Sequence, residues 1–198
     1  MYTIIDTETT GLFDFNKPAH ADGQPRLASF AMLAADADCR LICATHVLVR
    51  PDGWQMGAEA ESINGLSQQM LEEHGVPVGQ VLVRYAHEVM GGGVIVGHNV
   101  DYDAKIMRGE LRRARMSDFK GRTPTICTMR ALTDVLQIPK ASGRGYKWPK
   151  LAEAVRVCMG REPLGAHGAL HDALDCLDLM RWLKDRGLLP EPKGVLAA

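Results

Sequence analysis

The sequence predicts an α/β domain built on a mixed sheet with helices on its faces. Two observations about order carry that prediction, and one about size. Apolar runs at residues 2–5, 27–35 and 41–49 come first, and the stretch Asp36–Arg40 reads as a hairpin turn joining the second run to the third. Beyond residue 67, helical segments alternate with short apolar strands, so a meander is followed by strand–helix alternation. The chain has 198 residues, 46% of them hydrophobic and 24% charged, which suits one globular domain with a sizeable core.

Taken in order, Tyr2–Ile5 reads as a short buried strand that ends at acidic residues. Segment 67–90 reads as mostly helical, broken near Gly75 and Pro77 and stopped by Gly91–Gly93. Val94–Val96 is a short buried strand, and a helix follows from about Asn99, whose side chain suits an N-cap. A strand or helix start surrounds Ile126, and two helices follow at roughly 149–159 and 168–186. Residues 1–186 therefore form the domain. Residues 187–198, with Pro190, Pro192 and Gly194, read as a flexible tail.

Bulk properties narrow the function classes. A net charge of −1 leaves no long basic track, so any attraction for phosphate must be local or supplied by bound cations. The five cysteines (Cys39, Cys43, Cys127, Cys158 and Cys176) form no C-x-x-C pair, which argues against a disulfide framework or structural zinc. They read as small core residues of a cytoplasmic protein. No apolar run reaches membrane-spanning length and no secretory signal is visible, so no membrane partner is expected.

Three segments concentrate acidic residues at ends of predicted elements. In Ile5-Asp6-Thr7-Glu8-Thr9-Thr10-Gly11-Leu12, Asp6 and Glu8 stand two apart, on one face of a strand. Side-by-side carboxylates repel unless a cation lies between them, although an acidic turn after an edge strand has the same appearance. In Gly97-His98-Asn99-Val100-Asp101-Tyr102-Asp103, Asp103 lies one helical turn beyond Asn99; a capped helix with an acidic first turn reads the same way. In the third segment His167 stands at the mouth of the last helix and Asp172 within its first turns. Asp172 lies beside the apolar stripe Leu170, Ala173, Leu174 and Leu177, and His171 is the rival of His167.

Together the three segments resemble the motifs of the DEDDh-type, DnaQ-like 3′–5′ exonuclease family, which includes proofreading exonucleases and ribonuclease T. The matching features are D-x-E-T-T-G-L after a first strand, H-N-x-x-aromatic-D opening a helix, and H-x-A-x-x-D in the last helix. Each piece is weak alone; the ordered set spans roughly residues 2–183. The resemblance implies a ribonuclease-H-like fold, a mixed five-stranded sheet flanked by helices. It selects Asp103 over Asp101 and His167 over His171. It further implies two divalent cations, Mg²⁺ or Mn²⁺, held by Asp6, Glu8, Asp103 and Asp172, with His167 as general base. Oxygen ligands suit such hard cations, and an imidazole titrates near neutral pH.

By the same resemblance Thr9, Gly11 and Leu12 would wall the terminal nucleotide, with Leu12 as a wedge. Ile63 and Asn64 would pack on its base, and Asn99 would also contact substrate. The expected activity is removal of 5′-mononucleotides from a DNA 3′ end, single-stranded or frayed ends being preferred. The alternatives are an exoribonuclease trimming RNA ends, a silent nucleic-acid-binding adaptor, and a two-metal phosphoesterase acting on nucleotides. A polymerase or repair partner is left open. Two basic stretches remain. Lys105–Arg122, with Arg108, Arg112, Arg113, Arg115 and Lys120, reads as a solvated helix face. Lys140–Lys150 mixes cations with Tyr146 and Trp148 as single-strand binders do, while Trp148 taken by itself reads as a packing anchor.

Overall fold

The computed structural model describes residues 1–119, 123–165 and 167–194. Five strands form one sheet: β1 (Tyr2–Thr9), β2 (Leu27–Ala35), β3 (Leu41–Leu48), β4 (Val94–Gly97) and β5 (Thr125–Cys127), in the order β3-β2-β1-β4-β5. The β1–β2 and β2–β3 pairs are antiparallel, and β1–β4 and β4–β5 are parallel, which is the mixed sheet that meander-then-alternation predicts. The hairpin turn falls at Asp36–Arg40: the Asp36 amide donates to the Arg40 carbonyl at 3.0 Å, and the Asp36 carboxylate accepts from the Asp38 and Arg40 amides.

Alternation along β1 divides the core into two layers. Ile5 packs with Phe30, Ile95 and the apolar stripes of α3 (Val78–Met90) and α4 (Val100–Arg113). Ile4 packs on the opposite face with Ala31, Leu33, Val96 and the stripe Ala169, Ala173, Cys176, Leu177 and Met180 of α7 (Ala169–Asp185). A third cluster, with Leu132, Ala154, Val155, Leu179 and Leu183, joins α5 (Thr128–Leu136) and α6 (Leu151–Met159) to α7. The break expected near Gly75 and Pro77 separates α2 (Gln68–His74) from α3. Among the described residues no helix is long and apolar enough to cross a membrane.

Several expectations need correction. β1 runs beyond the expected 2–5 to Thr9, with Asp6 and Glu8 on one strand face as expected, because β2 continues to pair with them (Asp6↔Ala31, Glu8↔Ser29). Helix α1 (Ala58–Asn64) was unexpected: it buries only Ala60, so its sequence carries no apolar stripe. Asn99 occupies the N-cap position of α4 without a side-chain cap bond. Its backbone is left-handed (φ 79°), a conformation that Asn tolerates and that turns the chain from β4 into the helix. The tail returns to the sheet at least as far as Lys193, which exchanges 2.8 and 2.9 Å backbone hydrogen bonds with Thr125 and so pairs with the β5 edge; residues 195–198 lie outside the described residues.

Candidate active site

The sheet leaves a gap where the acidic residues stand. β4 pairs with β1 only at Tyr2, Thr3 and Ile4, after which the chain departs through Gly97 into α4. Asp6–Thr9 therefore run on with β2 along one side only, at the carboxyl end of the strand, where open α/β sheets bind their ligands.

Asp6 and Glu8 lie on the face of β1 that also carries Ile4, against α7. Asp172 comes from the first turn of that helix. One carboxylate oxygen from each of the three lies within 4.8 Å of the other two. Asp103 reaches the gap from α4, on the opposite face of β1. It is 4% exposed, and the Thr7 hydroxyl donates to its Oδ1 at 2.7 Å. Neighbouring Asp101 is exposed and ion-paired with Arg130 at 2.5 Å. Three of the four expected ligands thus form a tight trio, and the fourth is held beside it by a threonine that sequence reasoning had not singled out.

The electrostatics fit a cation site. Burial pushes Asp6 well above the usual carboxylate range, and Asp103, Asp172 and Glu8 add to the rise. Burial, then Asp172 and Asp103, push Glu8 up to about 8. Asp103 is raised by burial and by Asp172, against the hydrogen bond from Thr7 that favours its ionised form. Asp172 is pushed up to about 6 by burial and Asp175, against the opposing influence of His167 and His171. Among the described residues no Lys or Arg pairs with any of the four. Converging, unneutralised carboxylates with raised proton affinity are a donor set suited to hard divalent cations.

His167 is exposed and lines a cavity of about 400 Å³ together with Asp172 and Lys150. Its backbone is left-handed (φ 53°). The loop leading to it is fastened by Asp175, which is fully buried, accepts from the Leu164 amide at 3.0 Å and pairs with Arg161 at 2.8 Å. Asp175 therefore ties this loop to α7. His171 is also exposed and packs over Gly165, where a Cβ would come within 2.5 Å of its Nδ1.

On the other side of Glu8 lies a cavity of about 540 Å³ that includes Thr9, Gly11, Leu12, Ile63 and Asn64, five of the six expected substrate-contacting residues. Leu12 (87% exposed) and Ile63 (54%) offer apolar surface. Asn64 is a tie between elements: its Nδ2 donates to the Thr9 carbonyl at 3.2 Å, and its Oδ1 accepts from the Leu66 amide at 3.0 Å. Asn99 is exposed at the start of α4 and does not line this cavity. Tyr102 does line it. Its hydroxyl donates to the Gly11 carbonyl at 2.9 Å and lies 3.2 Å from the Thr9 hydroxyl. Its position just before Asp103 was the signal that could have identified it.

Two further residues were not foreseen in their roles. His98 bridges the Thr128 hydroxyl at 3.0 Å and the Pro149 carbonyl at 2.9 Å, joining the β4–α4 turn to the entry of α6. Trp148 is 61% exposed, so it is not a packing anchor, because that His98 bond and the Lys147–Glu153 ion pair hold its loop instead.

A family model described as exonuclease, the RNase T family, matches residues 3–180. The DNA polymerase III subunit epsilon of Aquifex aeolicus is 26% identical over 172 residues, covering 87% of this chain and 74% of that protein. Among solved structures, exonuclease I from Methylocaldum szegediense superposes with a TM-score of 0.74 at 22% identity, covering 93% of this chain and 40% of that one. E. coli exonuclease I in complex with a dT13 oligonucleotide superposes with a TM-score of 0.75 at 18% identity, covering 94% and 42%. These two likenesses establish the fold, a ribonuclease-H-like exonuclease fold, and this chain spans about two fifths of each of those longer chains.

Proposed function

The chain belongs to the exonuclease family, and from that premise we propose that it is a metal-dependent 3′–5′ exonuclease that shortens DNA strands and releases 5′-mononucleotides. The observation that carries this reading is the trio Asp6, Glu8 and Asp172, with oxygens within 4.8 Å of one another, beside a cavity whose volume of about 540 Å³ suits a small ligand.

Two divalent cations, Mg²⁺ or Mn²⁺, would supply Lewis acidity to the phosphate and a water acidified toward neutral pH. The positions of the chain's own residues support the following roles. Asp6, Glu8 and Asp172 would hold the cations, with Asp103 contributing from the opposite face of β1. Once cations balance their charge, these carboxylates are ionised at neutral pH. His167, beside Asp172, takes the proton of the attacking water. The Thr9–Leu12 segment, fastened to α4 by Tyr102, walls the terminal nucleotide, with Leu12 and Ile63 as its apolar contacts. Unpairing a duplex end costs a few kcal/mol, which favours single-stranded or frayed ends.

The test is an oligonucleotide labelled at its 5′ end, with a free or a blocked 3′ end, incubated with Mg²⁺ or Mn²⁺ and with chelator. The expected result is a ladder shortening stepwise from the free 3′ end, stalled by the block and abolished by chelator. Internal cuts in a circular single strand would make the protein an endonuclease. A strong preference for the RNA version would make it an exoribonuclease.

A further inference from the structure

Three of the four cations of α4 line one pocket rather than scattering around the helix. Lys105, Arg108 and Arg112 follow one another at spacings of three and four residues, on one side of the helix. The loop after β1 folds down opposite them and supplies Lys17 and His20. These five residues and Asp118 line one pocket of about 260 Å³.

The pocket has a fixed frame. Gln24, 5% exposed, staples the loop: its Nε2 donates to the Asp14 carbonyl at 2.8 Å, and its Oε1 accepts from the Asp14 amide at 3.0 Å. The loop lies so close to the helix that a Cβ at Gly109 would meet the Ala19 carbonyl oxygen at 2.7 Å. Lys17 is paired with Asp14 at 3.5 Å and Arg112 with Asp118 at 2.6 Å. Among the described residues neither Lys105 nor Arg108 has a carboxylate partner. The Lys105 ammonium instead sits 4.3 and 4.2 Å from the ring centroids of Phe13 and Phe15. In a chain of net charge −1, this is a local concentration of unspent positive charge.

The patch and the terminal-nucleotide cavity share helix α4, whose Lys105, Arg108 and Arg112 line the one and whose Tyr102 lines the other. Phe13 meets Tyr102 edge-on at 5.5 Å, and Tyr102 lines that cavity. From Tyr102 to Arg112 the helix rises about 15 Å. Phe15, 75% exposed, offers a ring face beside the cations, the combination used to hold single strands.

We propose that the pocket formed by Lys17, His20, Lys105, Arg108 and Arg112 binds backbone phosphates of the same DNA strand, a few nucleotides upstream of its 3′ end. The proposal rests on the exonuclease reading. It supplies the local phosphate attraction that the net charge does not.

The test compares wild type with the double variant Lys105→Gln/Arg108→Gln, and with Arg108→Lys, which keeps the charge. Binding of a labelled thymidylate dodecamer is followed by anisotropy in chelator across a KCl series. Degradation of the dodecamer and of a trimer is measured with Mg²⁺. The double variant should bind the dodecamer about tenfold more weakly, with a salt slope smaller by about 1.4, while the loss on the trimer is small. Arg108→Lys should keep the wild-type slope. If wild type degrades the dodecamer and the double variant keeps its affinity and slope, the pocket proposal fails and the exonuclease reading stands. A weaker affinity with an unchanged slope overturns the proposal too, since packing rather than charge was then lost. If wild type binds through the patch without degrading the strand, the exonuclease reading fails and the placement upstream of a 3′ end falls with it, while the pocket remains a single-strand phosphate site.

Discussion

The Thr7 hydroxyl donates a 2.7 Å hydrogen bond to Oδ1 of Asp103, fastening a carboxylate from α4 to the strand that carries Asp6 and Glu8. Thr7 faces the opposite side of β1 from its two acidic neighbours. The bond therefore sets Asp103 at the gap from one side while α7 presents Asp172 from the other.

The first prediction follows from that bond, which favours the ionised form of Asp103 against burial. Thr7→Val removes it, so the Asp103 carboxylate holds its proton more tightly and binds a cation less well. The Mg²⁺ concentration at half-maximal activity should rise about 10–100-fold, as for other residues that orient a metal ligand. Thr7→Ser should retain the wild-type midpoint. Equal midpoints for Val and wild type would show that Asp103 needs no such tie.

The second prediction concerns charge in the metal-free protein. Glu8 is raised from 4.5 to about 8 and Asp172 from 3.8 to about 6. A raised folded-state pKa contributes stability that is full below the unfolded value and is lost as pH climbs through the folded value. For these two groups the loss runs from about pH 4 to about pH 8. In chelator, Glu8→Gln should therefore melt above wild type, by about 2–6 °C at pH 8.5 and by less at pH 6. Excess Mg²⁺ should reverse the order by stabilising wild type, with all four carboxylates, more than the variant. Glu8→Gln, Asp6→Asn and Asp172→Asn should each lose several orders of magnitude in activity. Melting curves that coincide at every pH would contradict the proposed repulsion.

What the sequence made legible depended on how local the physics was. Leu27–Ala35 and Leu41–Leu48 are mostly apolar runs, and their strand character needs no partner to be visible. Asp6, Glu8, Asp103 and Asp172 stood out because their order and local context recur in one family. That Asp103 and Asp172 approach β1 from opposite faces was not legible. It depends on which helix packs against Ile5 and which against Ile4, a property of the whole sheet. Helix α5 begins directly after β5 with no spacer to mark the change, and Lys193 pairs with a strand 68 positions away. Lys105, Arg108 and Arg112 looked like a solvated face because the facing loop, with Lys17 and His20, comes from a distant part of the chain.

The third prediction separates the chemistry of His167 from its backbone. A left-handed histidine carries a steric cost of about 1–2 kcal/mol that glycine does not. His167→Gly should therefore be more stable than His167→Ala by about 1 kcal/mol in urea unfolding. If the imidazole takes the proton of the attacking water, both variants should lose about 10²–10⁴ in kcat with little change in the Mg²⁺ midpoint. The acidic limb of the pH–rate profile should flatten in both. A silent His167→Ala together with a damaging His171→Ala would reassign the base.

The last prediction tests whether the terminal-nucleotide wall is preorganised. Tyr102 stands on α4 one residue before Asp103, and its hydroxyl donates to the Gly11 carbonyl at 2.9 Å. The Thr9 hydroxyl accompanies it at 3.2 Å and also donates to that carbonyl at 2.8 Å, so Gly11 is held from two sides. Gly11 has φ 158°, close to extended backbone, and leads directly to exposed Leu12, so the tie decides where Leu12 points. Tyr102→Phe keeps the ring, including its edge contact with Phe13, and removes only the hydroxyl. One neutral hydrogen bond contributes about 0.5–1.5 kcal/mol, and the Thr9 hydroxyl still bonds Gly11, so the loss should be about two- to tenfold. It should appear mainly in KM for single-stranded DNA, because a loosened wall weakens capture of the terminal nucleotide more than it changes the carboxylates. The double variant Thr9→Val/Tyr102→Phe leaves Gly11 without either tie and should lose more than the product of the single losses. A double-mutant cycle on kcat/KM measures this directly. Strictly multiplicative losses would mean that the two hydroxyls act independently, and a loss confined to kcat would place Tyr102 in the chemistry rather than in the wall.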